Sequence, residues 1–166
     1  MILWFAGLSL VCVWLVFRDP ALDHRLVVAG ALLPDAIDGS FLLSGKVAPW
    51  PAHSVTANAA LLVAVMVASR GRRRLRRQLL AVPIGSFLHL VLDGVWTDIQ
   101  VFWWPLYGSA VGRQALPSDE RGLLNVPLEV AGLAALVWIW RRFGLAQPAR
   151  RAHFLRTGRV SRDVVG

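Results

Sequence analysis

The chain has 166 residues, 56% hydrophobic and 17% charged, and its mean hydropathy of +0.54 lies outside the range of ordinary soluble domains. A formal net charge of +8 invites a nucleic-acid partner, but the basic residues sit in two blocks with no aromatic interleaving or recognition motif, so none is expected. The single cysteine, Cys12, excludes an intrachain disulfide and a cysteine metal knuckle.

Apolar runs fall at about 2–17, 26–43, 52–69, 79–96 and 123–140, each near the ~20 residues that span a ~30 Å hydrocarbon core. They predict an all-α, polytopic membrane bundle of about five transmembrane helices over residues 1–145, followed by a basic cytoplasmic tail, partly disordered or surface-bound, at 146–166. The first run lacks a basic leader and a small-residue cleavage site, and so reads as a retained helix. The second carries Asp35 and Asp38 at i, i+3 on one face, directly after Pro34, which frees a carbonyl one turn back near Gly30. The third opens at His53, where Ser54 or Thr56 is placed to cap the helix. The fourth carries His89 and Asp93 at i, i+4, and the fifth carries Glu129. Trp50, Trp96, Trp103, Trp104, Trp138 and Trp140 lie near segment ends, where indole rings anchor at the interface.

Six arginines fall in residues 70–77 and seven in residues 141–162, together 13 of the 18 basic residues. Positive residues in short loops mark the cytoplasmic side. Two passes separate the blocks, so both are cytoplasmic if the N-terminus is outside and the C-terminus inside. The same arginines are then expected to touch anionic headgroups. This topology puts Asp35, Asp38, His53, His89, Asp93 and Glu129 all in the outer half of the membrane. His24 falls in a cytoplasmic loop and His153 in the tail, both solvated, while Lys46 and Asp98 are outer-loop surface residues.

An ionisable residue at the centre of a membrane helix costs about 2.5–3.5 kcal/mol on insertion scales, so six of them at one depth require a shared purpose. Mixed imidazole and carboxylate groups suit a divalent metal, Zn²⁺ first with Mn²⁺ or Fe²⁺ as alternatives. Asp35, His53, His89 and Asp93 are the expected ligands, with Asp38 and Glu129 as acid/base or supporting groups. The plainer alternative is a hydrogen-bonded polar network without metal.

The stretches Leu33-Pro34-Asp35-Ala36-Ile37-Asp38, Ala52-His53-Ser54, Gly85-Ser86-Phe87-Leu88-His89-Leu90-Val91-Leu92-Asp93 and Trp104-Pro105-Leu106 resemble, in order and spacing, the bacterial inner-membrane metal-dependent hydrolases, also called the LexA-binding, inner-membrane-associated hydrolase family. The resemblance covers roughly residues 24–108, and the Phe154-Leu155-Arg156-Thr157-Gly158-Arg159 tail is similar to that of actinobacterial members. The family's HRxxTHS pattern is replaced here by Trp50-Pro51-Ala52-His53-Ser54. The resemblance implies a bacterial inner-membrane helical protein with a metal site and a hydrolase activity. With the ionisable groups in the outer half of the membrane, the leading expectation is hydrolysis of a lipid-linked ester, a phosphoester first, at the outer leaflet. Two rivals use the same residues differently: an ion- or proton-coupled carrier, and a non-catalytic scaffold whose arginine-rich face docks a partner.

Overall fold

The computed structural model describes residues 1–43, 50–107 and 120–165, and every regular element among them is helical. In chain order these are α1 (Ile2–Phe17), α2 (His24–Leu43), a 3₁₀ turn (Pro51–His53), α3 (Val55–Ala68), α4 (Arg73–Leu79), α5 (Ala81–Asp93), α6 (Ile99–Phe102), α7 (Asn125–Arg142) and α8 (Pro148–Thr157). The all-α expectation holds, but five membrane-length helices do not. Among the described residues two helices are long and apolar enough to cross a bilayer: Arg73–Asp93, in which α4 runs into α5, and Gly122–Arg142. The shortfall is one of length and polarity. At 1.5 Å per residue, the 16 residues of α1 rise about 24 Å and the 14 of α3 about 21 Å, short of a ~30 Å core. The 20 residues of α2 are interrupted by Arg25, Asp35 and Asp38.

Glycines set two close helix crossings. A Cβ on Gly30 of α2 would collide with the Val82 carbonyl oxygen, and one on Gly85 of α5 with the Val27 carbonyl oxygen. The two backbones therefore lie against each other, a contact that larger residues forbid. Gly7 of α1 and Gly132 of α7 meet in the same way, each against the other helix's backbone. The α3 start is capped by Ser54, whose side chain accepts from the Ala57 N–H at 3.1 Å, as its sequence position suggests. The α5 end is set by Gly94, left-handed at φ 75°, so the helix stops at Asp93 although the apolar run continues.

The main core joins Val13 and Trp14 of α1, Val27 of α2 and Phe143 just past α7 to Val160 and Val164 near the C-terminus. The tail, expected to be partly disordered or surface-bound, thus contributes residues to the core. Composition concealed this, because its arginines surround a few apolar residues that find a long-range partner. Arg25 Nη1 donates to the Leu155 carbonyl at 2.7 Å, and the Val160 N–H donates to the Pro20 carbonyl at 3.1 Å. At the same end of the bundle Arg77 pairs with Asp19 at 2.6 Å.

His24 also departs from expectation: it is buried rather than solvated. Its backbone N–H donates to the Gly158 carbonyl at 2.9 Å, and Nδ1 lies 3.2 Å from the same oxygen. The ring packs between Trp14 and Phe143, and Nε2 has no hydrogen-bond partner. Burial lowers its pKa from 6.5, outweighing the carbonyls of Gly158 and Leu22 and the charges of Asp19 and Asp23, which raise it. Below pH 6.5 the unfolded chain takes up a proton that the docked imidazole refuses, so tail docking weakens as pH falls through 6.5 towards the lowered value and is constant above it. Hydrogen exchange in α8, corrected for intrinsic rate, should accelerate between about pH 7.5 and pH 5 in the wild type and stay flat in His24→Gln.

Candidate metal centre

Three elements bring the chemistry together. Pro34 leaves the Gly30 carbonyl without its helical donor and loosens α2, near the turn where the Ala31 carbonyl accepts from His89 Nδ1 at 2.7 Å. The glycine crossing makes that contact possible by holding α5 against α2. The 3₁₀ turn carries His53 in from the other side, where its Nδ1 lies 2.6 Å from Asp38 Oδ2. Asp38 is fully buried, and its other oxygen accepts the Ala52 N–H at 3.3 Å. Phe5 of α1 lies over the His89 ring, centroids 3.9 Å apart, and Trp50 meets the His53 ring edge-on at 5.9 Å.

These partners decide what the imidazoles present to each other. A carbonyl only accepts, so His89 carries its proton on Nδ1, and the Asp38 carboxylate asks the same of His53. Both Nε2 atoms then offer lone pairs to one point. They are 3.1 Å apart, and Asp35 Oδ1 is 3.4 Å from each. Three electron-rich atoms at such distances repel unless a metal ion or a shared proton lies among them. Two ligands each about 2.05 Å from one tetrahedral ion stand about 3.4 Å apart, so the three spacings fit a single first-row divalent ion. Asp35, His53 and His89 can hold a metal. The imidazoles are buried, whereas the Asp35 side chain is 38% exposed, so the carboxylate is the member of the cluster that solvent or a ligand can reach.

The remaining predicted site residues are placed elsewhere. Asp38 holds His53 from behind, a role in which a carboxylate fixes the ligand's tautomer and raises its basicity. Asp93 is buried one turn beyond His89, and its main-chain carbonyl accepts from Arg121 at 2.5 Å. Its carboxylate is not among the three clustered ligand atoms. The ~6 Å of rise between i and i+4 carries it past the point where His89 and His53 meet. Glu129 Oε2 accepts the Leu3 N–H at 2.9 Å. It occupies the N-terminus of α1, where unpaired N–H groups favour an anion, and not the imidazole cluster. Asp98 caps α6 through the Gln100 and Val101 N–H groups, His153 is exposed on α8, and Lys46 lies outside the described residues.

Sequence reasoning missed the Ala31 carbonyl and Phe5. A backbone acceptor has no sequence signal, and an aromatic in an apolar run is indistinguishable from core. Ser86 gave a signal, one turn before His89 on the same face. Its Oγ accepts from Asn58 Nδ2 at 3.1 Å, tying α3 to α5 beside the cluster.

Asp38→Asn keeps the shape but removes the charge behind His53. Zinc affinity of the purified protein, titrated against a chelator, should fall about 10- to 100-fold, the range for losing a partner of a metal-bound histidine. No family model, curated protein or solved structure matches the chain.

Proposed function

We propose that the protein is an integral-membrane, metal-dependent hydrolase of a lipid-linked phosphoester, with Asp35, His53 and His89 as metal ligands. The observation that carries this reading is the convergence of two Nε2 lone pairs and a half-exposed carboxylate oxygen within 3.4 Å of one another. Ligand type favours Zn²⁺.

When bound, a divalent ion supplies an activated water and a Lewis acid for the phosphoryl oxygen. The chain's own contribution is orientation. Ala31 and Asp38 hold the two imidazoles in the tautomers that leave Nε2 bare, and Phe5 and Trp50 limit their rotation. Asp35 is the exposed member of the cluster and the one a ligand from outside meets first. In the net reaction a water oxygen bonds to phosphorus, the bond from phosphorus to the alcohol oxygen breaks, and the alcohol leaves with a proton.

Membrane residence is supported by α7. An apolar helix at the core of a soluble protein is buried, yet only 11% of the Gly122–Arg142 span is, and Val126, Val130 and Leu133 are at least half exposed. Such a surface suits lipid. Arginine placement supports an outside N-terminus and an inside C-terminus, which puts the imidazoles towards the outer leaflet. The family resemblance in the Asp35, His53 and His89 motifs points the same way.

A second reading rests on the 3.1 Å separation of the two Nε2 atoms, which one shared proton also satisfies, making Asp35, His53 and His89 a proton relay. Elemental analysis of protein purified without added metal or chelator separates the two. About one zinc, manganese or iron per chain and phosphodiesterase activity lost with chelator support the hydrolase. No bound metal, with proton flux in liposomes, sinks it in favour of the relay.

A further inference from the structure

An apolar groove of about 490 Å³ runs along the bundle between α1 and α3, with α5 as its floor. Cys12, Val16 and Phe17 form the α1 wall, Asn58 and Leu62 the α3 wall, and Phe87 part of the floor. Asn58 is the one carboxamide in an otherwise apolar lining, and it is the residue bonded to Ser86 beside the imidazole cluster. The volume lies within the range of pockets that enclose small organic molecules.

Position relates this groove to the metal centre. On α5 the lining residues run from Pro83 to Leu88 and end one residue before His89, about 9 Å of rise from the first of them to the ligand. On α3 they run from Val55 to Leu62, beginning two residues after His53. On α1 they lie in the half farther from Phe5. None of the three cluster residues lines the groove; its lining starts one residue before His89 on α5 and two residues after His53 on α3, and extends from there towards the arginine-rich end of the bundle. Its side opening between α1 and α3 carries exposed apolar residues, Val16 at 74% and Leu62 at 43%. An apolar lining of this kind offers water few hydrogen-bond partners, and in a bilayer its surroundings are hydrocarbon.

We propose that the groove binds one acyl chain of the membrane lipid whose phosphate headgroup sits at Asp35, His53 and His89, so that the substrate is a phospholipid bound lengthwise. This rests on the hydrolase reading above. The geometry matches the orientation of an outer-leaflet lipid: a polar, anionic end at the cation site and a chain descending towards mid-membrane. Entrance is lateral, between α1 and α3, without lifting the chain into water. Asn58 stands where head and chain meet and is placed to distinguish the polar linkage from the hydrocarbon below it.

The test uses the full chain in vesicles of phosphatidylcholine doped with a phosphatidylglycerol bearing a diazirine in one acyl chain. After illumination, adducts are mapped by mass spectrometry. Adducts should concentrate on residues 12–17 of α1, 55–62 of α3 and 83–88 of α5, above the level on the outer face of α7. Ala59→Trp or Leu62→Trp, which fill the groove without touching a ligand, should lower the groove adducts about tenfold, a decade of lost occupancy, and leave those on α7 unchanged. Zinc content should equal that of the wild type. Adducts spread evenly over all exposed helices, or groove adducts unchanged in both tryptophan variants, would overturn the proposal even with zinc bound. Concentrated groove labelling without bound metal in any of the proteins would instead strike the hydrolase reading and leave the chain site standing.

Discussion

His89→Ala is expected to purify with background zinc and no phosphodiesterase activity. Loss of affinity should exceed the roughly 10- to 100-fold predicted for Asp38→Asn, because Asp38 only orients a ligand whereas His89 is one. On the proposed reading three donors would hold the ion, and removing one would leave a carboxylate and a single imidazole, too few to retain it. The variant also orphans the Ala31 carbonyl, so some loss of stability accompanies the loss of metal. His89→Gln keeps a donor for that carbonyl and should recover stability without recovering zinc. Metal content close to that of the wild type in His89→Ala would refute the assignment of His53 and His89 as joint ligands.

Gly85→Val should be nearly as damaging although valine touches no ligand. Its Cβ would enter the space of the Val27 carbonyl, and backbone cannot rotate away as a side chain can. Overpacking of this kind costs about 1–3 kcal/mol, and the upper end is expected here. Relief requires α2 and α5 to separate, which stretches the 2.7 Å bond between His89 Nδ1 and Ala31. The thermal midpoint and zinc content should therefore fall together. Gly39→Ala is the control: nothing lies within 4 Å of its Cβ, so metal binding should persist, and the helix should gain roughly 0.5–1 kcal/mol. Loss of zinc in Gly39→Ala, or its retention in Gly85→Val, would break the link between the glycine crossing and the site.

Much of the fold was legible in periodicity, since each apolar run became a helix. Their lengths were not, because a run says where a helix is permitted and Gly94 and Ser54 say where it stops and starts. Asp35, His53 and His89 were legible as ionisable groups that apolar segments should reject. Their neighbours were harder. Asp38 shares a helix face with Asp35, yet it reaches His53 Nδ1 while Asp35 reaches Nε2. Spacing places two carboxylates near one histidine and cannot say which nitrogen each meets. Asp93 was grouped with the site by its i, i+4 spacing from His89, which puts it on the same face but one turn further along the helix, and Glu129 by depth, which leaves the direction around the helix axis open. The docked tail escaped notice because Val160, Val164 and His24 are single residues whose partners lie far away in sequence.

If the bundle resides in a bilayer, as proposed above, the shortness of α1 and α3 has a consequence for the surrounding lipid. A helix of about 21–24 Å in a hydrocarbon slab of about 30 Å is a hydrophobic mismatch, relieved by local thinning of the bilayer. These two helices flank the groove, so thinning would be greatest where a lipid approaches it. The headgroup plane would dip towards His53 and His89 at that edge, while the longer Arg73–Asp93 and Gly122–Arg142 helices maintain full thickness elsewhere. The protein would then bring a phosphate to the metal by deforming the membrane, with no moving lid.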